Sequence, residues 1–458
     1  MRLFSPIERI LSNQLVRSIA ALASGTALGQ LLMILAMPLL TRLYTPEEFS
    51  VMALYVSLVS VLSVSAALRF DIAVPIAKED AEAEDLVWLG LLFGGLVFLL
   101  LALVSALIYL NVSSASRWWL GIAPYIWLIP IGVFFSSAYG TLQMWGSRRR
   151  RFNLIARTRL AQGGGMVATQ LGWGVASSGA LGLVLGQAIS HIIGVISLFR
   201  LFISSFRPVA CSELLGRLKY TATKYSNFPK YSTFEALFNN GGIQVPVVLI
   251  SLWAIGAEAG YVLLAMQLMQ APMSLLGAAI GQVFFPYAST SPTPGDLDQL
   301  TRTTLINLIR LSVIPLIVIG TLAPLLFPFV FGKEWARAGV IVAWMVPWFI
   351  MQMLVSPLSM ILHICRKQRE ALLIQIVGFF LRVGVIVLAA LFNKAVMAEA
   401  YAISGFVFYS IYLWMILRCL PSYPKCNAEI RFLSKNILIG LAVSGILYCI
   451  VQALLNIF

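Results

Sequence analysis

The chain has 458 residues, of which 60% are hydrophobic and 11% charged, and its mean hydropathy is +0.91. That composition excludes a water-soluble domain with a polar exterior. A net charge of +14 would point to nucleic acid in a soluble protein. Here the basic residues flank apolar stretches, where topology and anionic headgroups account for them, and no nucleic-acid partner is expected.

In chain order the apolar stretches cover about 18–40, 50–68, 86–110, 121–144, 160–177, 180–203, 232–253, 259–283, 305–329, 338–362, 371–392, 396–417 and 434–457. Most approach the roughly 20 residues a helix needs to cross the hydrocarbon core. The expected fold class is therefore an all-α integral membrane protein with about 13 transmembrane helices. Ser5-Pro6-Ile7-Glu8 reads as a capping box opening a short interfacial helix within 1–17. The first span ends in Thr41-Arg42-Leu43-Tyr44 without a small-residue cleavage site, so it is expected to be a retained helix. The fifth span is the weakest, being short and rich in glycine (Gly163, Gly164, Gly165, Gly172, Gly174). It is kept because losing it would invert everything that follows.

Basic residues fall almost entirely into alternate gaps: 25 Lys and Arg lie in one set and 5 in the other. By the positive-inside rule the basic set is cytoplasmic, which also places the N-terminus there. Arg310 and Arg382 lie inside spans and belong to neither set. Cys211, Cys365, Cys419, Cys426 and Cys449 all avoid the outer gaps, so disulfides are not expected. With no CxxC and no Cys/His cluster, neither a metal nor a cofactor is expected.

The gap 204–231 divides six spans from the next six. An even number makes both halves start on the same side, which predicts an N-lobe over 18–203 and a C-lobe over 232–418 in parallel repeat. Residues 419–458 add a loop and an extra helix. Sliding the chain by 214 residues sets Gln30 on Gln244, within the polar stretches Ser24–Gln30 and Asn239–Gln244. Matching polar interruptions point to a central binding site holding Gln30, Asn239, Asn240 and Gln244. The competing reading is that small residues let helices pack closely, as at Gly182 and Gly186. The short outer gaps offer no room for a catalytic constellation, and there is no Gly-rich nucleotide loop. The chain reads as a carrier and not an enzyme.

Leu40-Thr41-Arg42-Leu43-Tyr44-Thr45-Pro46-Glu47-Glu48-Phe49 and Leu68-Arg69-Phe70-Asp71-Ile72-Ala73 resemble the start of bacterial polysaccharide and O-antigen flippases. Phe228-Pro229-Lys230-Tyr231, Phe331-Gly332-Lys333-Glu334-Trp335 and Ser356-Pro357-Leu358-Ser359 continue the resemblance in order. Those proteins belong to a superfamily that also contains multidrug extruders and the lipid II flippase. The resemblance implies a twelve-helix core of two lobes around a central cavity, from which the thirteenth span departs. It implies export of an undecaprenyl-diphosphate-linked oligosaccharide across a bacterial inner membrane, for O-antigen, capsule or exopolysaccharide synthesis. Membrane lipids, and the polymerase and chain-length proteins of polysaccharide assembly, are the further partners it implies. A drug extruder of the same superfamily is the alternative, and an enzyme or scaffold of glycan assembly is a more distant one.

For such a substrate a buried arginine suits a diphosphate, because its planar fork stays protonated and binds oxygens bidentately. Arg382 is the first candidate, being too deep in its span for easy snorkelling; its alternative is structural pairing. Arg310 lies nearer the cytoplasmic end, where snorkelling also explains it. Arg69 and Asp71 are expected to pair and fix the end of the second span, or to gate an entering headgroup. His191 is either a packing histidine or a proton site. Glu235 is either an interface carboxylate or, like Asp71, a coupling-ion site. The run Arg148–Arg151 is expected to anchor topology or collect anionic headgroups. Trp118, Trp119 and Trp335 are expected in the outer aromatic belt, while the deeper Trp344 and Trp348 are candidates for stacking on sugars.

Overall fold

The computed structural model describes residues 14–111, 121–205, 211–270, 273, 294–359, 361–365, 367–419 and 427–455. These residues are helical almost throughout and contain no strand. In chain order they form α1 (Gln14–Leu43), α2 (Pro46–Ala66), α3 (Asp80–Asn111), α4 (Leu128–Arg148), α5 (Phe152–Ala176), α6 (Leu181–Ser205), α7 (Cys211–Lys224) and α8 (Thr233–Trp253). There follow α9 (from 258, described to 270), α10 (Pro294–Phe331), α11 (Ala336–Val355), α12 (Ile361–Ile364), α13 (Gln368–Phe392), α14 (Met397–Leu417) and α15 (Asn427–Leu455). With no water in a bilayer core to satisfy N–H and C=O groups, helix is the form these apolar runs must take. Internal prolines at 38, 246, 315, 324, 328 and 347 are carried within α1, α8, α10 and α11.

Among the described residues, eight helices are long and apolar enough to cross a membrane, and 27–43 within α1 and 432–448 within α15 are further apolar stretches. The expected thirteen spans are thus not all established. α5 carries Arg157, Arg159 and Gln162, which lowers its apolar content. The expected span 259–283 is described only as far as 270 and at 273. Trp118, Trp119 and the Ser5–Glu8 segment lie outside the described residues.

The contacts divide the chain into two compact units. The first holds Met1–Tyr44 and Val51–Val248. Within it α5 packs against α1 and α6, α4 against α3 and α6, and α7 against α3. Added methyl groups at Gly182 or Gly186 would collide with Trp173 or with Gln170 and the Met166 carbonyl. These glycines therefore set the close approach of α5 and α6. The second unit holds Thr45–Ser50 and Leu249–Phe458. Here α10 packs against α11 and α15, α11 against α14, and α13 against α14.

Two local devices were not read from the sequence. Thr45 and Glu48 form a reciprocal cap at the start of α2: the Thr45 N–H donates to Glu48 Oε2 at 2.8 Å and the Glu48 N–H to Thr45 Oγ1 at 3.3 Å. Pro46 follows the cap in the position proline favours. In the gap 204–231, α7 is a 14-residue helix, and Phe228–Ser232 forms a π-helical turn leading into α8.

Candidate functional site

Arg382 lies midway along α13 and is 2% exposed. The sequence places it there by interrupting a run of apolar residues with one charge. Its guanidinium carbon is 4.0 Å from the centroid of the Phe408 ring and 5.4 Å from that of Tyr409, both on α14. Among the described residues its Nε and Nη2 have no hydrogen-bond partner. Among the described residues no carboxylate pairs with Arg382. Gly378, one turn before it on α13, leaves the space that the Phe408 ring fills. Desolvated cation–π contacts stabilise such a charge in part, and the two unpartnered donors remain available for an anionic oxygen.

Trp348 sits beside this nest on α11. It is 1% exposed, stacked on Phe349, and edge-on to Tyr401 at 4.9 Å. Gly405 lies against its indole face. Trp348 is therefore a packing residue and not a free platform for sugars, because α14 covers it. Trp344 is 48% exposed. Trp335 is 1% exposed and packs edge-on against Phe49 at 4.8 Å and Tyr261 at 5.9 Å, so its indole is turned into the protein and not toward lipid. Burial of its indole in the second unit outweighs its membrane-edge chemistry.

Arg310 is exposed on α10, with its guanidinium carbon 5.3 Å from the Phe432 ring on α15. No described contact joins it to Arg382. Arg69 and Asp71 do pair, at 3.7 Å, beside two consecutive residues in the left-handed region, Leu68 (φ 47°) and Arg69 (φ 59°). Burial raises the Asp71 carboxyl above its ordinary value, with Arg69 opposing. Asn240 donates through Nδ2 to the Ser60 carbonyl at 2.6 Å, and Gln244 Oε1 accepts from Ser57 Oγ at 3.0 Å. These two residues, four apart on α8, thus bind α2. Asn239 and Glu235 are exposed, and Gln30 is half-buried with a partner of its own. His191 is half-buried, and among the described residues its Nδ1 has no partner.

The run at Arg148–Arg151 splits in two. Arg148 donates to Asp80 at 2.9 Å and to the carbonyl of Ala77 at 2.6 Å, and Arg149 donates to Asp80 at 3.0 Å. Both are tied into the protein, which neither expectation for this run foresaw. Asp80, Glu82, Glu84 and Asp85 open α3 as a local acidic run that captures them. The same run holds α7: Arg217 pairs with Asp85 at 2.8 Å, and Lys224 with Glu82. The Glu82 contact keeps the Lys224 ammonium above its ordinary value.

A second charged node, unforeseen in the sequence, ties three helix starts in the other unit. Arg337 donates to Glu258 at 2.9 Å and pairs with Glu399 at 2.6 Å. Carboxylates at helix N-termini are favourable in themselves, a signal that was present at Glu258 and Glu399.

The fold has solved counterparts. The structure "Lipid II flippase MurJ, inward closed conformation" is similar with a TM-score of 0.72 and 13% identity, over 95% of this chain and 92% of that one. An inward-facing multidrug resistance MATE family transporter of the MOP superfamily is similar with a TM-score of 0.54 and 12% identity, over 91% and 97%. A MOP superfamily transporter from Pyrococcus furiosus, whose title reads "Reverse polarity of binding pocket suggests different function", has a TM-score of 0.51 and 13% identity, over 91% and 98%. At such identities the likeness is one of fold. Among curated proteins none matches the sequence. The family model described as "Polysaccharide biosynthesis protein" matches residues 39–340. This multi-pass helical membrane chain belongs to that polysaccharide biosynthesis family.

Proposed function

We propose that the protein is a flippase that exports an undecaprenyl-diphosphate-linked oligosaccharide from the cytoplasmic to the periplasmic leaflet by alternating access, for surface polysaccharide synthesis. Family membership supports the pathway, and the shared fold supports a transporter. The carrying observation is Arg382, a buried cation with two free donors and no carboxylate partner among the described residues. Leaving a buried charge uncompensated is costly, and a diphosphate oxygen supplies the missing partner.

The chemistry of the task fits. Each unpaired hydroxyl moved into hydrocarbon costs roughly 2–7 kcal/mol, and charges cost far more. A carrier must therefore replace the hydration of both sugar and diphosphate. The inside-negative potential favours outward movement of an anion by about 2.3 kcal/mol per charge per 100 mV. Arg310 is a secondary candidate within the second unit, and Gln30, Arg69, Asn239, Asn240 and Gln244 are secondary candidates within the first. Asp71, Glu235 and His191 are the candidates for a coupling ion.

The competing reading is a multidrug extruder, favoured by the likeness to MATE transporters. Such carriers of organic cations place an acidic residue in the first helix, and α1 contains no Asp or Glu. A deletion strain decides between them. It should accumulate the undecaprenyl-linked repeat on the cytoplasmic face and be restored by the wild-type protein. Arg382→Ala should reach the membrane in normal amounts and export no surface polysaccharide. Normal export by that variant would remove Arg382 from the site, and efflux of a fluorescent cation would favour the extruder.

A further inference from the structure

The geometry points to α7 as a membrane-surface helix: one face is locked to α3, and we infer that the other seats in the headgroup layer of an anionic leaflet. The inward face is settled by named contacts. Arg217 and Thr221 both bond to Asp85. Tyr225 Oη donates to Glu82 Oε2 at 3.0 Å. Leu218 enters the apolar core and Leu214 packs against it.

The outward face has a different character. Leu215 is 61% and Tyr220 67% exposed, and Lys219 is exposed between them on the same side of the helix. Two large apolar groups around a lysine, opposite a face already fully engaged, describe an interfacial helix. The helix is held against Asp80–Asp85, immediately before the apolar run of α3 begins at Leu86. An acidic stretch that gives way to a long apolar run is where a span leaves the hydrocarbon.

Charge selects the occupant. The acidic start of α3 pairs with Arg148, Arg149, Arg217 and Lys224. Lys219, Lys230, Arg150 and Arg151 are exposed, and none enters an ion pair among the described residues. Glu79 and Glu213 are exposed too, against Lys78, Lys219, Lys230, Arg150 and Arg151, so the exposed surplus is cationic, which matches anionic phospholipid headgroups. An acidic protein partner would meet the same charge, but the exposed leucine and tyrosine flank the lysine as interfacial anchors do.

The test uses the full chain with its five cysteines replaced by serine and Thr223→Cys carrying an environment-sensitive fluorophore. It is placed in nanodiscs of phosphatidylcholine alone or with phosphatidylglycerol. Phosphatidylglycerol should shift the emission to the blue, confer quenching by headgroup-level nitroxide lipids and remove quenching by iodide. Lys219→Glu with Lys230→Glu, or high salt, should restore iodide access. Equal iodide access in both discs would overturn the inference. So would protection seen only in native membranes and not in discs, which would indicate a protein cover. Should the cysteine-free chain not fold, amide exchange across 211–224 of the unmodified protein serves instead. Exchange should slow in the anionic discs, and identical rates would refute the idea.

Discussion

The Arg382 guanidinium stacks on the Phe408 ring at 4.0 Å while two of its nitrogens have no hydrogen-bond partner among the described residues. A desolvated cation–π contact contributes roughly 2 kcal/mol, whereas burying an ion costs several kcal/mol. Desolvation wins, so Arg382 is retained at a cost to stability. Arg382→Met, which keeps the volume without the charge, should leave Tm unchanged or raised while abolishing surface polysaccharide. Thermal unfolding of the purified variant together with a complementation assay checks both halves. A large fall in Tm with export intact would make Arg382 a structural residue.

Gly378 offers a way to disturb the same nest without touching the charge. A methyl group there would fall inside the contact distance of the Phe408 ring. Overpacking of this kind typically costs about 1–3 kcal/mol. Gly378→Ala should therefore lower Tm and reduce export, and adding Phe408→Leu should recover Tm but not export. An unchanged Tm in the single variant would show that the ring moves freely and does not position Arg382.

Much of this was legible in advance, for physical reasons that also explain the gaps. An apolar run long enough to cross a bilayer must be helical, so helices such as α2, α6, α13 and α14 fall close to their expected limits. Arg382 stood out because a single charge in such a run has no topological explanation. Its partners did not: α14 is apolar all round, so no periodicity shows that Phe408 and Tyr409 face α13. The covering of Trp335 and Trp348 was unreadable for the same reason, since their burial depends on neighbours remote in sequence. α7 escaped because a short amphipathic helix contains too few apolar residues to register as a span. The acidic run at 79–85 was read only as part of a gap, although its carboxylates are what hold Arg148, Arg217 and Lys224.

Asp71 provides a pH-dependent test. Burial raises its carboxyl in the folded protein above the ordinary value of 3.8. The native state then holds its proton to higher pH than the unfolded chain does. Stability falls as pH rises from the unfolded value through the folded one, and the whole penalty is present above that window. Asp71→Asn removes the penalty, so its Tm advantage over wild type should grow as pH is raised from about 4 to 7. A difference that stays constant with pH would mean that Arg69 fully compensates the carboxylate.

Arg217 and Asp85 carry the docking of α7. Asp85 is 3% exposed, whereas the Arg217 side chain is 28% exposed. Arg217→Ala therefore strands a buried carboxylate, a change that costs roughly 3–5 kcal/mol for fully buried pairs. Solvent around the arginine places this pair at the lower end. Thr221→Val, which removes one neutral donor from the same carboxylate, should cost only about 1 kcal/mol. Removing both charges with Arg217→Ala and Asp85→Ala should cost less than the two single changes together, because neither leaves an orphan. Thermal unfolding of the four proteins gives the coupling, and amide exchange over 211–224 shows where it acts. Faster exchange in α7 alone is the expected pattern, since Arg217 and Thr221 both tie that helix to Asp85. Additive single changes with unaltered exchange would mean that apolar packing at Leu214 and Leu218 holds the helix without the ion pair.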